Sequence, residues 1–375
     1  MAGPLNGLRI VELAGIGPGP FAGMMLADHG AEVIRLERIG SPRFGPDPLA
    51  RSRRSLGIDL KHPDAAGVVR RLAERADGLI EGWRPGVAER LGVGPDVLLR
   101  ANPKLVYGRM TGWGQDGPWA QMAGHDIDYI ALSGVLHGIG EVDRPPVPPV
   151  NYVGDFGGGG MMLAFGMVSA LLAVQRGAAG QVVDAAMTDG SALLATMTYG
   201  FAAGGIWSDE RGANLLDGAA PFYATYRTAD DRWLAVGAIE PEFWAIVRDR
   251  MGLTDPLFDR QQDRAAWPAM KERIREVVAT RTRDEWEAVF AGTDACVAPV
   301  LSLAEAPRHP HNVARGTFVE VGGVVQPAPA PRYSATPAGT PRATLPAGTD
   351  TDAVLEELGF APEEVARLRG EGAVG

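Results

Sequence analysis

Apolar runs and turn-forming residues alternate along the first 110 residues and divide them into strands and helices. Short strand patterns occur at residues 8–13, 32–37, 56–60, 78–80 and 105–110. Helical patterns separate them at residues 21–26, 64–76 and 87–91. Strands that alternate with helices in this way are typical of a parallel sheet covered by helices on both faces. We therefore predict an α/β fold with a doubly wound sheet.

The pattern changes after residue 205, which indicates a second domain. Residues 206–220 are polar and irregular, so we predict a linker there. Residues 222–227 and 233–236 alternate on either side of a turn, which predicts a β-hairpin opening a small α+β domain. Helical patterns follow, one from Pro241 and others at residues 268–279 and 284–290.

The last part of the chain is rich in proline, alanine and threonine. Residues 325–349 have little periodicity, and we expect an extended segment that runs back over the surface. Helical signals return at residues 351–368. The predicted organisation is a large domain (1–205), a linker (206–220), a small α+β domain (221–320) and an extended return segment with a C-terminal helix that completes the large domain (321–375).

A glycine-rich turn follows the first predicted strand, at residues 14–20. It is similar to the dinucleotide-binding fingerprint, and Glu37 lies near the position of the ribose-binding acid. However, Pro20 stands where the third glycine belongs and Arg38 follows the acid directly. We interpret the loop as a tight turn, and a nicotinamide dinucleotide site remains an alternative.

Charge is distributed unevenly along the 375 residues. The net charge is −10, yet the first 110 residues carry 16 Lys and Arg against 12 Asp and Glu. This favours a local anionic ligand and argues against a nucleic acid partner. Guanidinium groups match phosphate oxygens, and the basic residues expected near the strand ends are Arg38, Arg53, Arg54, Lys61, Arg84 and Arg90.

Composition also limits the cellular compartment and the kinds of site that we expect. The single cysteine, Cys296, excludes an intrachain disulfide, and its Val/Ala/Pro surroundings predict a small buried hydrophobe. We find no apolar run approaching a membrane span and no signal peptide, so we expect a cytoplasmic protein without membrane contact. The pair His309 and His311 lacks partners at ligand spacing, so no metal site is predicted.

The candidate chemistry lies between Gly124 and Gly160. His125 precedes an apolar run with helical spacing, and a position near a helix N-terminus disfavours the imidazolium form. A neutral imidazole is what a general base needs. Asp155 precedes another helical pattern and is followed by four glycines, which we expect to let the backbone approach a ligand closely. The structural alternative is a hydrogen-bonded histidine and an N-capping aspartate.

Several motifs together carry a resemblance to a known family. They comprise Gly-His-Asp-Ile-Asp-Tyr at 124–129, Gly-Asp-Phe-Gly-Gly-Gly at 154–159, Asn-Leu-Leu-Asp-Gly-Ala-Ala-Pro-Phe-Tyr at 214–223 and Val-Gly-Ala-Ile-Glu-Pro at 236–241. Residues 8–21, 53–61 and 294–300 match as well. This sequence resembles the α-methylacyl-CoA racemases of the class III CoA-transferase superfamily over nearly its whole length, except the proline-rich tail.

The resemblance implies a Rossmann-like large domain, a small domain and an interlocked homodimer with active sites between domains of different subunits. It implies CoA as part of a 2-methylacyl thioester substrate, with no separate cofactor. The residues that match the CoA-binding positions are Arg38, Gly57, Ile58, Asp59, Leu60, Lys61, Arg84, Arg90, Gly124 and Tyr129.

The resemblance also implies a two-base mechanism. His125 and Asp155 exchange the α-proton on opposite faces, the Asp126 N–H stabilises the enolate oxygen, and Glu240 orients the histidine. Three methionines offer a surface for the acyl tail, although a simple core role is the alternative: Met161, Met162 and Met187.

Two other functions stay open. In a CoA-transferase of the same superfamily, Asp126 is the nucleophile that forms an acyl anhydride. A non-catalytic or nicotinamide-binding Rossmann protein would bind NAD and ignore CoA.

The sequence also departs from the racemases at Asp128, where they carry asparagine. A carboxylate pointing toward His125 would raise the pKa of the imidazole.

Overall fold

Six parallel strands form the centre of the first of two structural units. The structure is a computed structural model that describes residues 2–41 and 45–375. The strand order is β3-β2-β1-β4-β5-β6, so the order reverses between β1 and β4. The strands are β1 (Arg9–Leu13), β2 (Glu32–Glu37), β3 (Arg54–Gly57), β4 (Gly78–Glu81), β5 (Val106–Thr111) and β6 (Gln181–Ala186). This is the order of a doubly wound Rossmann-like sheet, which confirms the predicted fold class.

Neighbouring side chains of β1 enter different cores, one on each face of the sheet. Val11 packs with Leu72 and Leu358 on one face, whereas Ile10 packs with Leu26 and Met167 on the other. Strands buried on both faces need helices on both sides. The helices up to residue 194 are α1 (Pro18–Asp28), α2 (Ala65–Ala73), α3 (Val87–Arg90), α4 (Pro95–Ala101), α5 (Asp126–Leu132), α6 (Met162–Gln175) and α7 (Met187–Leu194).

The second unit has a three-stranded antiparallel sheet and its own aromatic core. Its elements are α8 (Thr196–Ala203), β7 (Tyr223–Arg227), β8 (Trp233–Gly237), α9 (Pro241–Met251), α10 (Trp267–Val278), α11 (Arg283–Phe290) and β9 (Val297–Pro299). β7 and β8 form the predicted hairpin, and α9 begins at Pro241 as predicted. Phe222, Trp244 and Trp267 meet in the core, with ring centroids within 5.8 Å of Phe222.

The remaining elements form two short strands and three helices. They are α12 (Pro310–Arg315), β10 (Phe318–Val321), β11 (Val324–Pro327), α13 (Thr351–Glu357) and α14 (Pro362–Gly370). β10 and β11 pair antiparallel, so the return segment begins with a hairpin that the proline-rich composition concealed. Helices α13 and α14 confirm the helical signals predicted at residues 351–368.

The boundaries between the units differ from the predicted domains. The first unit is Met1–Ser133, Pro149–Leu194 and His311–Gly375, and the second is Gly134–Pro148 and Ala195–Pro310. The predicted linker is an ordered part of the second unit. Asn214 is 1% exposed and donates to the Asp217 carboxylate at 2.9 Å. Arg211 ties residues 134–148 to it by donating to the His137 and Glu141 carbonyls.

One long apolar helical stretch corrects the prediction that no apolar run reaches membrane-spanning length. A π-helix, Tyr152–Met161, continues into α6, and the stretch Tyr152–Gln175 has a mean hydropathy of 1.7 over its most apolar window. By length and composition it is able to span a membrane. In this structure 44% of that window is buried, and Leu163 and Met167 lie in the core beside β5.

Candidate active site

A pocket of about 1470 Å³ opens at the carboxyl ends of β1 to β4. Its walls include residues 14–17 after β1, residues 38 and 39 after β2, residues 58–61 after β3 and Trp83 after β4. Parallel α/β sheets bind ligands outside the carboxyl ends of their strands, where the strand order reverses. The pocket therefore lies where the topology predicts a ligand.

Six of the predicted CoA-binding residues line this pocket: Arg38, Ile58, Asp59, Leu60, Lys61 and Arg90. Arg38, Lys61 and Arg90 are exposed, and none of them forms an ion pair within the part of the chain that the structure describes. Three cationic side chains without carboxylate partners suit the phosphate oxygens of an anionic ligand. Trp83 and Gly372 also contribute to the walls, and neither was predicted from the sequence.

The acid at the end of β2 belongs to a buried network of charges. The Glu37 carboxylate accepts from the Ser55 hydroxyl at 2.5 Å and from Arg35 Nε at 3.2 Å. Arg35 in turn donates to Glu12 at 2.6 Å. A dinucleotide ribose would need the carboxylate that Ser55 and Arg35 already occupy. This geometry argues against the nicotinamide dinucleotide alternative.

Two arginines predicted to suit phosphate recognition are instead structural. Arg53 is buried and its Nε donates to the Glu12 carboxylate at 3.0 Å. Arg54 pairs with Glu32 at 2.7 Å and with Glu357 at 2.8 Å. Their partners are 20 or more residues away along the chain, so local sequence gave no signal of these ion pairs.

His125 is the N-cap residue of α5, as its position before an apolar run predicted. Its backbone is extended, at φ −131°, and its side chain is exposed. The backbone N–H of His125 donates to the exposed Asp128 carboxylate at 2.9 Å. The residue that departs from the racemase pattern therefore caps the helix backbone. The Asp128 amide already donates to the His125 carbonyl at 2.9 Å, whereas the amides of Asp126 and Ile127 have no carbonyl partner within the helix.

The Asp126 carboxylate turns away from solvent toward the π-helix. The residue is 6% exposed, and its Oδ2 accepts from the Asp155 backbone N–H at 2.6 Å. Its Oδ1 is buried without a hydrogen-bond partner among the described residues. A Cβ on Gly154 would lie 2.5 Å from Oδ2, so only glycine permits this approach. The Asp126 carboxylate thus holds the backbone of Asp155 in place.

Asp155 lies inside the π-helix and is half-buried, so the N-cap alternative is wrong. Asn151 Nδ2 donates to its Oδ2 at 3.1 Å. Burial raises the pKa of the Asp155 carboxyl and the Asp126 charge adds to this, whereas Asn151 and His125 act in the opposite direction. Because the Asp155 N–H donates to the carboxylate of Asp126, the residue after His125, the structure brings the two predicted proton carriers close together.

Gly17 connects Asp155 to the pocket. A Cβ on Gly17 would lie 3.2 Å from the Asp155 Oδ2, and Gly17 is itself part of the pocket wall. Its φ is +66°, a conformation that glycine adopts without strain. The glycine-rich loop after β1 therefore permits a close approach to the proton carrier. The spacing of Asn151 and Asp155, four residues apart on a helix, was a usable sequence signal that we missed.

The glycines after Asp155 pack against protein, and the prediction that they approach a ligand is wrong. A Cβ on Gly158 would lie 2.6 Å from the Ser191 N of α7, and one on Gly160 would lie 2.8 Å from Phe21 of α1. Their missing side chains let the π-helix lie directly on α7 and α1. Met187 is buried in the same region, consistent with a core role, whereas Met161 is 48% exposed.

Four residues predicted to bind CoA are not part of the pocket wall among the described residues: Gly57, Arg84, Gly124 and Tyr129. The Tyr129 hydroxyl donates to the Gly124 carbonyl at 2.5 Å and holds the turn before His125. Burial raises the pKa of the Tyr129 hydroxyl to about 12, with Asp155 adding to the effect. A role of these four residues in CoA binding stays a prediction.

Glu240 and Cys296 lie in the second unit. Glu240 is exposed and is the N-cap residue of α9. Cys296 is exposed with φ +52°, so the prediction that it is buried is wrong. Partial desolvation, and then the charges of Glu240 and Asp294, hold the pKa of its thiol above the usual value. The Glu240 carboxylate forms no ion pair with the residues that the structure describes, and its contact with His125 stays a prediction.

Comparison with known proteins decides the family. The model of CoA-transferase family III matches residues 5–351. The chain belongs to CoA-transferase family III. It is 48% identical to α-methylacyl-CoA racemase of Mus musculus over 98% of this chain and 96% of the relative, and 46% identical to that of Homo sapiens over the same shares. These relatives confirm the predicted resemblance.

Solved structures agree with the family assignment. A CAIB/BAIF family protein from Brucella suis superposes with a TM-score of 0.84 at 25% identity, covering 96% of this chain and all of that chain. The CoA-transferase family III match includes His125, Asp155 and Glu240 but ends at the first residue of α13. Gly372 in the pocket wall lies beyond it.

Proposed function

We propose that this protein inverts the α-carbon of 2-methylacyl-CoA thioesters. The observation that carries the proposal is that Asp155 lies beside Gly17 of the basic pocket and is hydrogen-bonded to Asp126, the residue after His125, in a chain 48% identical to α-methylacyl-CoA racemase of Mus musculus. CoA enters as part of the substrate, and both proton carriers are side chains. The reaction therefore needs no separate cofactor or metal.

The basic pocket supports binding of the CoA portion. Arg38, Lys61 and Arg90, which pair with no carboxylate among the described residues, present cationic groups to phosphate oxygens. The pocket reaches Gly17, whose Cα faces the Asp155 carboxylate. A thioester held by its phosphates at the strand ends would thus extend its acyl end toward the proton carriers.

Proton transfer in the proposed reaction uses two opposite groups. A thioester carbonyl acidifies the α-proton, and one of His125 and Asp155 removes it while the other delivers a proton to the opposite face. The enolate oxygen needs a donor, and the Asp126 N–H at the start of α5 is free of an intrahelical partner. A raised pKa lets the Asp155 carboxyl hold a proton nearer neutral pH, which suits a group that acts as acid in one direction and base in the other.

The burial of Asp126 weighs against the CoA-transferase alternative. A nucleophile must reach the acyl carbon, yet the Asp126 carboxylate is 6% exposed and accepts the Asp155 N–H at 2.6 Å. Anhydride formation would require this carboxylate to leave the hydrogen bond and turn outward. The same geometry suits a residue that supplies its backbone N–H and anchors Asp155.

We further propose that two copies assemble into a homodimer. An apolar surface on the first unit supports this: Leu132, Met161, Phe165, Val168, Leu172 and Val182 are each at least 38% exposed, and Phe165 is 71% exposed. Exposed apolar patches of this kind mark interaction sites. In such a dimer, the exposed Glu240 of one copy would orient the exposed His125 of the other. Phe165→Glu is expected to give monomers in sedimentation velocity; dimers that persist with this variant would contradict the proposal.

The test is NMR of one 2-methylacyl-CoA epimer incubated with the protein in deuterated water. We expect loss of the α-proton signal together with growth of the opposite epimer. Conversion should fall by about two orders of magnitude or more in His125→Ala and in Asp155→Ala. Acyl transfer to an added free acid without α-proton exchange, dependent on Asp126, would establish a transferase instead.

A further inference from the structure

Residues 372–375, here called the tail segment, pair with the chain that forms one wall of the pocket. Val374 forms an antiparallel bridge with Ile58. The Asp59 N–H donates to the Ala373 carbonyl at 2.9 Å, and the Gly375 N–H donates to the Gly57 carbonyl at 3.0 Å. Both strands of this pairing thus exchange backbone hydrogen bonds immediately before Leu60 and Lys61.

The tail segment completes the open edge of the sheet. β3 is an edge strand, and an uncovered edge leaves unpaired N–H and C=O groups. Beyond Gly57 the tail segment supplies partners for that edge. Thr351 adds a third link, because its hydroxyl accepts from the Gly57 N–H at 3.0 Å and lies 2.7 Å from the Gly375 carbonyl oxygen.

The tail segment leaves no room for a side chain at Gly57. A Cβ on Gly57 would overlap the Gly375 carbonyl oxygen, and so would a Cβ on Gly348. Gly57 itself does not line the pocket, whereas the next residue, Ile58, does. A glycine that resembled a CoA contact in the sequence therefore makes room for another part of the chain.

The tail segment is anchored in the hydrophobic core and also reaches the pocket. Ala373 and Val374 are at most 1% exposed and pack in the core with Leu358 and Leu368. Gly372 lies in the pocket wall itself. The segment thus has one end in the hydrophobic core and one end at the pocket.

We propose that the tail segment is a positioning element of the CoA site, which fixes residues 58–61 and thereby sets the affinity for CoA. The inference rests on the proposed function, since it takes CoA as the ligand. Val374 acts through Ile58 and Lys61, so it affects binding and leaves the proton carriers untouched. Binding and tail order are then coupled, and CoA must stabilise the tail pairing to the same extent that the pairing strengthens CoA binding.

Val374→Ala and Val354→Ala form a matched pair for the test. Both valines are 1% exposed in the same core, but only Val374 pairs with the pocket wall. We expect similar losses of Tm in the two variants. The Kd of free coenzyme A, measured by isothermal titration calorimetry, should rise about fivefold or more in Val374→Ala alone. At saturating acyl-CoA, kcat should stay within about twofold of wild type in both.

Equal Kd values for the two variants would overturn the inference while leaving the proposed function intact. A wild-type protein that does not bind coenzyme A would overturn the proposed function and this inference with it. Hydrogen exchange of the wild-type protein gives a second readout without any variant. Coenzyme A should slow exchange of the Asp59 and Gly375 amides, and unchanged exchange at saturating coenzyme A would also contradict the coupling.

Discussion

The Asp126 carboxylate accepts the backbone N–H of Asp155 at 2.6 Å, so the two acidic residues of the site are joined through one hydrogen bond. This bond fixes the π-helix against the start of α5, where His125 is the N-cap residue. It also holds a negative charge near the Asp155 carboxyl, which adds to the effect of burial in raising the pKa of that carboxyl. Asp126 thus helps to position Asp155 and contributes to the raised pKa of its carboxyl.

Asp126→Asn should move the acidic limb of the kcat/KM profile to lower pH. The asparagine keeps an oxygen that accepts the Asp155 N–H but removes the charge that raises the Asp155 pKa. A carboxyl with a lower pKa loses its proton at lower pH, so the pair of proton carriers reaches its active, singly protonated form earlier. The measurement is the rate of epimer conversion against pH. Complete loss of conversion with retained fold would contradict this role and favour Asp126 as a nucleophile.

Asn151→Asp should shift the same limb in the opposite direction. The asparagine donates to the Asp155 Oδ2 at 3.1 Å and thereby lowers the pKa of that carboxyl. The isosteric aspartate removes the donor and adds a like charge, and both changes raise the Asp155 pKa further. The acidic limb of the kcat/KM profile is therefore expected at higher pH than in the wild type. Asn102→Asp, at a structural asparagine that bonds the Ala73 and Ala76 carbonyls, is the control and should leave the limb in place.

Gly17→Ala should reduce kcat/KM by about tenfold or more. The added methyl group would lie 3.2 Å from the Asp155 Oδ2, and the residue has a positive φ. Gly7→Ala is the matched control, since Gly7 also has a positive φ but has no atom within 4 Å of the added Cβ. Similar losses of Tm with a loss of activity only in Gly17→Ala would support the close approach. Equal activities in the two variants would refute it.

Arg38→Ala should raise the KM for acyl-CoA by about tenfold, because a charge-assisted hydrogen bond to a phosphate contributes about 1.5–3 kcal/mol. Arg54→Ala removes an equal charge that is already paired with Glu32 and Glu357. It should lower Tm without changing KM. Steady-state kinetics at two salt concentrations would check this, since the KM of wild type should rise with salt more steeply than that of Arg38→Ala. Equal effects of the two substitutions on KM would place Arg38 outside the ligand site.

Local periodicity was sufficient to predict the central elements. β2 has the predicted bounds, and α9 begins at the predicted Pro241. Each of these elements is encoded within a few adjacent residues, where alternation or a proline at the first helical position gives a direct signal. His125 at a helix N-terminus was predictable for the same reason.

The errors have a common cause in contacts between distant residues. Arg53 was interpreted as a phosphate-binding group because its partner, Glu12, lies 41 residues away. The close approach of the Gly375 carbonyl oxygen to Gly57 was likewise hidden, because the two residues lie far apart along the chain. A single sequence shows which residues are charged or small. It does not show which distant group a charged residue pairs with, or which distant group lies against a small one.

The Glu12 carboxylate, shared by Arg35 and Arg53, limits how this pocket can be redesigned. An engineer who replaces Arg35 to admit a different ligand would leave Glu12 and Glu37 as buried carboxylates short of one partner. Breaking a buried ion pair in this way costs about 3–5 kcal/mol, a large part of the stability of a typical domain. Altered specificity in this scaffold is therefore more accessible through Arg38 or Arg90, which line the pocket and form no ion pair with the residues that the structure describes.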